Sequence, residues 1–93
     1  MISTNAGLIR VEGAMTLTQA KALLDQGVAA LAAGEGVVDM AQVTEVDSSA
    51  LAVVFGWMRA AQARGMQLRL DNLPPEMLSL AEVYGVRDLL PVA

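Results

Sequence analysis

Segments with the pattern of a β-strand alternate with longer segments of helical periodicity along this chain. Short apolar runs begin at Leu8 and Val37, and a third strand-like run spans Gln67 to Leu70. Each is followed by a stretch long enough for a helix. Alternation of this kind predicts an α/β fold, with a small, largely parallel sheet flanked by helices. The length of 93 residues leaves room for one core, so a single domain spanning 1–93 is expected.

The strand boundaries follow from glycines and from apolar alternation. The segment GLIRVEG is predicted to form a strand that ends at Gly13, and Ile2 to Asn5 are predicted to form an edge strand before it. The segment GVVDMAQV is predicted to be a central strand, which gives a mixed sheet of about four strands. The tail VRDLLPVA is expected to pack back through Leu89 and Leu90 or to end the chain loosely.

Three helices are expected between and after these strands. Thr16 or Thr18 is predicted to cap the first helix, whose apolar positions face the core. The second helix is predicted to run from about Ser48 to Arg64. The third begins at the prolines of PPEMLSLAEVYG, where a helix tolerates them, and ends at its glycine. The expected core positions of the first helix are Leu23, Leu24, Val28 and Leu31.

The composition excludes several classes of function. The chain has no cysteine and no histidine, so it lacks thiol nucleophiles, imidazole bases and the usual zinc ligands. Its net charge is -4 and its six basic residues are spread singly, which argues against nucleic-acid binding. No apolar stretch is long enough to cross a membrane, and the N-terminal residues are not expected to act as a signal peptide. The sequence predicts a soluble cytoplasmic protein, which a partner would hold at the inner membrane as a peripheral component.

Enzymatic activity has little support in the sequence. The only compact acidic cluster consists of Asp39, Glu45 and Asp47, which in principle could bind Mg²⁺ or act as acid and base. Helix capping and solvation explain these residues more simply. No glycine-rich phosphate loop or nucleophile motif is present. We therefore expect no catalytic residue, no metal and no cofactor.

The junction before the second helix carries more polar groups than capping requires. Asp47, Ser48 and Ser49 directly precede an unbroken apolar run, and one of them would suffice as the N-cap. A helix N-terminus favours anions such as phosphate, because its N–H groups are free and its dipole is positive there. A serine in this first turn is also accessible to a kinase or another partner.

The second helix is predicted to have two unlike sides. At about 100° per residue, the side facing the sheet carries Leu51, Val54, Phe55, Met58 and Ala61. The opposite side carries Ser48, Ala52, Gly56 and Ala60, flanked by Ser49 and Ala63. Trp57 lies near the border, as a half-buried core residue or as an interface anchor. The smooth side predicts a docking surface for another protein, formed by Asp47, Ser48, Ser49, Ala52, Gly56, Trp57, Arg59 and Ala60.

The segment VVDMAQVTEVDSSALAVVF resembles the central signature of STAS domains, the family of anti-sigma factor antagonists and sulfate-transporter tails. In that family a buried strand ends in an acidic residue, here Asp39. A loop and an Asp-Ser-Ser-Gly-Leu-like motif follow, here Asp47 to Leu51. The strand MQLRLDNLP and the segment MLSLAEVYGVRDLLP are similar to the stand-alone, MlaB-like STAS subunits of Mla phospholipid-transport systems.

The resemblance implies a non-catalytic domain that binds protein partners. In MlaB-like subunits the residue matching Ser48 contacts the ATPase subunit of the ABC transporter. In antagonists the residue matching Ser49 is phosphorylated by a serine kinase that is also the binding partner. Both positions are serine here, so both remain candidate phosphorylation sites and the motif leaves both branches open. Ala50 replaces the usual glycine, which disfavours the phosphorylation branch, and a homodimer through the same helix is a further alternative for the isolated chain.

Overall fold

The computed structural model describes residues 1–5 and 7–92, so that residues 6 and 93, the latter the end of the predicted tail, lie outside the described part. The predicted order of strands and helices is confirmed, including the edge strand at the N-terminus. The elements are β1 (Ile2–Asn5), β2 (Leu8–Met15), α1 (Leu17–Ala32), β3 (Val37–Val46), α2 (Ser48–Ala63), β4 (Arg69–Asp71), α3 (Pro75–Val83) and a 3₁₀ turn (Arg87–Leu89).

The four strands form one mixed sheet in the order β1-β2-β3-β4. β1 is antiparallel to β2, whereas β2, β3 and β4 are parallel to one another, which confirms the predicted fold class. Alternate residues of the central strands are buried, such as Ile9 and Val11 in β2 and Val38 and Met40 in β3. Crossovers of the same hand between neighbouring parallel strands place α1 and α2 on one face of the sheet, and the two helices run in the same direction.

Both central strands are longer than predicted. β2 does not end at Gly13 but continues to Met15, because Gly13 adopts a φ of 86° and the register with β3 shifts there instead. β3 ends neither at Asp39, as the resemblance implies, nor at Val43, the end of the predicted central strand. It continues to Val46, because its second half pairs with the second half of β2. Asp39 is therefore the third residue of a ten-residue strand.

The C-terminal tail closes the free edge of β4. The backbone N–H of Leu70 donates to the carbonyl of Pro91 at 2.8 Å, and Val92 forms an isolated parallel bridge with Leu70. Of the two leucines predicted to pack back, only Leu90 is buried, whereas Leu89 is 60% exposed. The short β4 is thus paired on both sides.

The predicted core face of α1 is confirmed at its centre. Leu23 and Leu31 are buried, and Leu24 and Val28 are half-buried against the same core. Among the described residues no polar or charged side chain is buried. The interior is apolar throughout, as expected of a small domain that depends on the hydrophobic effect for stability.

The contact between α1 and α2 depends on two glycines. The Trp57 indole lies over Gly27, and its Nε1 donates to the carbonyl of Leu23 at 3.1 Å. In a helix, the carbonyl of residue i lies beside the side chain of residue i+4, and Leu23 and Gly27 are related in this way. Because Gly27 has no Cβ, the Trp57 indole can reach the Leu23 carbonyl oxygen. In the reverse direction, Leu24 of α1 lies over Gly56 of α2. Each helix therefore places a glycine beneath a large side chain of the other.

We expect Gly27→Ala to destabilise the fold, although alanine is the better helix former. Its Cβ would lie 2.1 Å from Trp57 Nε1, and the buried indole cannot move without losing its hydrogen bond. The expected loss in the free energy of unfolding is about 1–3 kcal/mol, the usual cost of overpacking. Urea denaturation followed by the fluorescence of the single tryptophan measures it directly.

Gly56→Ala is the matched control for this substitution. Its Cβ would meet Leu24 Cδ1 at 2.5 Å, but this atom is the end of a half-buried, flexible side chain. The gain in helix propensity, about 1 kcal/mol, offsets the adjustment of Leu24. A Gly27→Ala protein at least as stable as the parent would contradict the proposed constraint.

Candidate functional site

The N-termini of α1 and α2 lie side by side at the carboxyl edge of the parallel strands. Met15 and Val46, the last residues of β2 and β3, are register partners. The next residues, Thr16 and Asp47, are the N-caps of the two helices. Of the two threonines predicted as caps of α1, Thr16 and Thr18, the structure has Thr16 at the N-cap. The Thr16 N–H donates to Gln19 Oε1 at 3.1 Å, which closes the first turn of α1.

Asp47 joins the two helix N-termini. Its Oδ1 accepts from the backbone N–H of Ser49 at 2.8 Å, which is the cap of α2. Its Oδ2 accepts from the backbone N–H of Leu17, the first residue of α1, at 3.1 Å. Partial desolvation raises the pKa of this carboxyl, but the hydrogen bonds from Leu17 and Ser49 outweigh it and hold the pKa below its usual value of 3.8. The ionised carboxylate therefore links the two helices.

The two serines of the junction have different surroundings. Ser48 is exposed, whereas Ser49 is half-buried and its backbone is fixed by Asp47. The Ser49 side chain also interacts with the Asp47 carboxylate and lowers its pKa. Ser48 is consequently the hydroxyl that is open to another protein, and Ser49 is partly engaged within the chain.

A strip of small and polar side chains faces outward along α2. We call it the outer face; the exposed residues of α2 that form it are Ser48, Ala52, Arg59, Gln62 and Ala63. It contains no large apolar side chain and one charged group, Arg59. Phe55 and Met58, predicted to be buried, are half-buried against the core, and helical periodicity puts Phe55 on the same side of α2 as Ser48 and Arg59.

Two residues of the predicted docking surface are buried. Gly56 is buried beneath Leu24 of α1, and Trp57 is only 1% exposed. Ala60 is half-buried against the core. The expectation that Gly56 and Trp57 lie on an open surface is wrong, because α1 packs on that side of α2. Trp57 is a core residue, and a large side chain at Gly56 would disturb the helix contact rather than probe a docking surface.

One exposed apolar residue beside the site was not predicted. Leu17, the first residue of α1, is 76% exposed, and its N–H is held by Asp47. Its spacing of seven residues from Leu24 and fourteen from Leu31 puts it in phase with the core side of α1. The signal was therefore present in the sequence, but it predicts burial. The position at the start of the helix, beyond the edge of the sheet, leaves Leu17 open instead.

The predicted acidic residues do not form a cation site. Asp39 accepts hydrogen bonds from Asn72 Nδ2 at 2.9 Å and from the Ala41 N–H at 3.0 Å, and Arg10 lies 4.0 Å away. The bonds from Asn72 and Ala41, with a smaller contribution from Arg10, lower its pKa. Within residues 1–5 and 7–92, no group of three or more acidic side chains is arranged to hold a metal ion.

One further feature of the described residues, a groove, lies away from this site. A shallow groove of about 630 Å³ beyond β4 is lined by residues that include Asp71, Asn72, Arg87 and Asp88. It contains none of the predicted site residues.

Among the helices of the described chain, none combines the length and the apolar character required to span a bilayer.

The link between Asp47 and Leu17 can be tested through its pH dependence. In Asp47→Asn the amide oxygen can still cap α2, but the amide nitrogen cannot accept from the Leu17 N–H. Because the folded pKa of Asp47 is lowered, its stabilisation is complete above the unfolded pKa and is lost as the pH falls through the folded pKa. We expect the parent to have the higher melting temperature at pH 7 and pH 5, with the difference shrinking below about pH 4.

Glu45→Gln, which removes the charge of an exposed neighbour, is the control and is expected to melt like the parent at pH 7. Circular dichroism melts of the three proteins at pH 7, 5, 3 and 2 make the measurement. A difference between parent and Asp47→Asn that stays constant down to pH 2 would show that the carboxylate charge is not involved.

Comparison with known proteins identifies the family and the fold of this chain. The sequence profile of the family described as "Mlab, STAS domain" matches residues 2–91. A comparison with curated protein sequences gives no match.

Solved structures show the same fold at low sequence identity. The phosphorylated form of the Bacillus cell fate determinant SpoIIAA is 19% identical, with a TM-score of 0.67 over 100% of this chain and 89% of that chain. The unphosphorylated form of the anti-sigma factor antagonist SpoIIAA is 19% identical, with a TM-score of 0.65 over 88% and 80%. A Thermotoga maritima protein described as a candidate anti-sigma factor antagonist is 10% identical, with a TM-score of 0.75 over 99% and 83%. The family match and the shared fold together show that this chain belongs to the MlaB-type STAS domain family.

Proposed function

We propose that this protein is a non-catalytic adaptor that docks on the ATPase subunit of an ABC-type phospholipid transporter. The observation that carries the proposal is the outer face of α2, which begins at the exposed Ser48 of the family motif. The match to the MlaB-type family supports this partner class over others. The domain would stabilise the active ATPase assembly and convert no substrate itself.

The shape of the outer face suits contact with another polypeptide. Ala52 and Ala63 are exposed and end at a methyl group, so a partner backbone can approach α2 closely. Leu17 lies next to the start of this strip and offers an apolar side chain that is 76% exposed. The low charge of this strip suits the centre of a protein interface, where charged residues are depleted but arginines such as Arg59 are retained.

Contacts within the chain hold the elements of the proposed docking surface in place before any partner binds. Asp47 fixes the first turns of α1 and α2 relative to each other, and Trp57 fixes their separation. A surface that is already ordered loses little conformational entropy on binding. The proposed docking surface therefore consists of Leu17 and the outer face, with Asp47 and Trp57 as residues that position it.

A second candidate function is that of an anti-sigma factor antagonist switched by phosphorylation of Ser49. The structural similarity to SpoIIAA, known in a phosphorylated form, favours its consideration. A phosphate on Ser49 would add about -1.5 to -2 charge next to the Asp47 carboxylate and weaken the link to Leu17. This repulsion and the helix-favouring Ala50 disfavour the switch relative to the adaptor.

Ala52→Trp tests the docking surface without touching the core. Ala52 is exposed, so the indole is expected to leave the free energy of unfolding nearly unchanged while its bulk prevents close approach. We expect the Kd for the purified ATPase subunit to rise at least tenfold in isothermal titration calorimetry. The control is Ala29→Trp, which places the same side chain on an exposed position of α1 and is expected to bind like the parent. Equal binding by the two variants would refute docking through the outer face.

The two candidate functions predict different covalent states of the junction. Incubation with lysate and ATP, followed by intact-mass and peptide mass spectrometry, detects a gain of phosphate on Ser48 or Ser49. The adaptor function predicts no modification, so that neither the parent nor the Ser48→Ala and Ser49→Ala proteins gain the mass of a phosphate. Stoichiometric phosphorylation at Ser49 that is absent from Ser49→Ala would favour the switch.

A further inference from the structure

The charges of this protein are distributed unevenly. From Ser48 to Leu70 the chain has three arginines and no acidic residue, so this segment carries a net charge of +3. The other residues contain ten acidic and three basic side chains, which gives them a net charge of -7. Of these three arginines, Arg59 lies in α2, Arg64 is its C-cap and Arg69 lies in β4, so α2 and its C-cap carry two basic and no acidic side chains within an acidic protein.

The basic side chains differ in whether they form an ion pair within the chain. Four of the six lie within 4.0 Å of a carboxylate: Arg10, Lys21, Arg69 and Arg87. Among the described residues, Arg59 and Arg64 have no such partner. Arg59 is exposed at the centre of the outer face, and Arg64 is exposed at the C-cap of α2. The two basic side chains without an ion pair within the described chain therefore lie in the proposed docking helix and at its C-cap.

We infer that the partner meets the outer face with an acidic segment, in which a carboxylate pairs with Arg59. This inference rests on the proposed function, because it specifies the chemistry of the partner at the same surface. Arg59 is eleven residues after Ser48, or about 16 Å along the helix axis. The acidic side chain of the partner therefore lies about that distance from its contact with the Ser48 hydroxyl, and Arg64 extends the same attraction toward the end of α2.

The distribution of charge disfavours other occupants of this face. A symmetric contact between two copies through α2 would bring together two helices that each lack an acidic residue, leaving both Arg59 side chains without a partner. An anionic membrane would attract two arginines but repel a domain whose net charge is -4. A partner protein with acidic residues satisfies Arg59 and leaves the rest of the surface in solvent.

Binding of charge-altered variants to the purified ATPase subunit tests this inference. Isothermal titration calorimetry at 50 and 300 mM NaCl compares the parent with Arg59→Gln and Arg59→Glu. We expect Arg59→Gln to weaken binding several-fold and to reduce its salt dependence, and Arg59→Glu to weaken binding at least tenfold at 50 mM NaCl. Lys21→Glu makes the same change in net charge on α1, where Lys21 is paired with Asp25, and is expected to stay within twofold of the parent.

A rescue experiment identifies the acidic residue. Acidic surface residues of the ATPase subunit are changed to arginine one at a time, and one of these variants is expected to restore binding to Arg59→Glu. Binding by the parent with no change in Arg59→Glu would overturn the acidic contact and leave the adaptor function standing. No binding by the parent, or by any variant, would overturn both.

Two measurements on the protein without the ATPase subunit test the other candidate occupants of the outer face, a second copy of the chain and an anionic membrane. Sedimentation velocity is expected to show a monomer for the parent and for Arg59→Glu. Sedimentation with phosphatidylglycerol vesicles is expected to leave both proteins in solution. A dimer, or vesicle binding, that disappears in Arg59→Glu but persists in Lys21→Glu would show that a second copy or a lipid surface takes the place of the acidic partner.

Discussion

The packing of Trp57 across Gly27 determines which side of α2 is available for binding. The indole takes the space of a missing Cβ and donates to the Leu23 carbonyl, so it fixes both the separation and the rotation of the two helices. Asp47 fixes the same pair at their N-termini through the N–H groups of Leu17 and Ser49. With α2 held at both places, its small and polar residues turn away from α1 and the sheet. Core packing and the proposed docking surface therefore have one structural cause.

The fold was largely predictable from local sequence patterns. Strand-like runs alternated with helical ones, and the caps at Thr16 and Asp47 stand where helices begin. The strand lengths were less predictable, because they depend on pairing between strands rather than on the residues alone. Gly13 suggested an end, but the neighbouring strand β3 keeps the chain extended through a bulge until Met15.

The candidate site was predictable in position but not in orientation. Small residues at Ala52 and Gly56 both allow close approach, and periodicity cannot tell whether the approaching helix belongs to the same chain. Gly56 lies beneath Leu24 of α1, whereas Ala52 is exposed. The exposure of Leu17 depends on where α1 begins relative to the sheet edge, which is likewise a tertiary property. What the sequence located correctly was the junction, because a motif with an acid and two hydroxyls at a helix start is a local feature.

The central claim is that a partner binds the outer face of α2 while the contact between α1 and α2 stays intact. Nuclear magnetic resonance titration of the labelled 93-residue chain with the unlabelled ATPase subunit tests this residue by residue. We expect the largest changes in amide and methyl signals at Leu17, Ser48, Ala52 and Arg59, with the Trp57 indole signal shifted little. Changes confined to β1, or to α3 and the turn that follows it, with α2 unaffected, would contradict it.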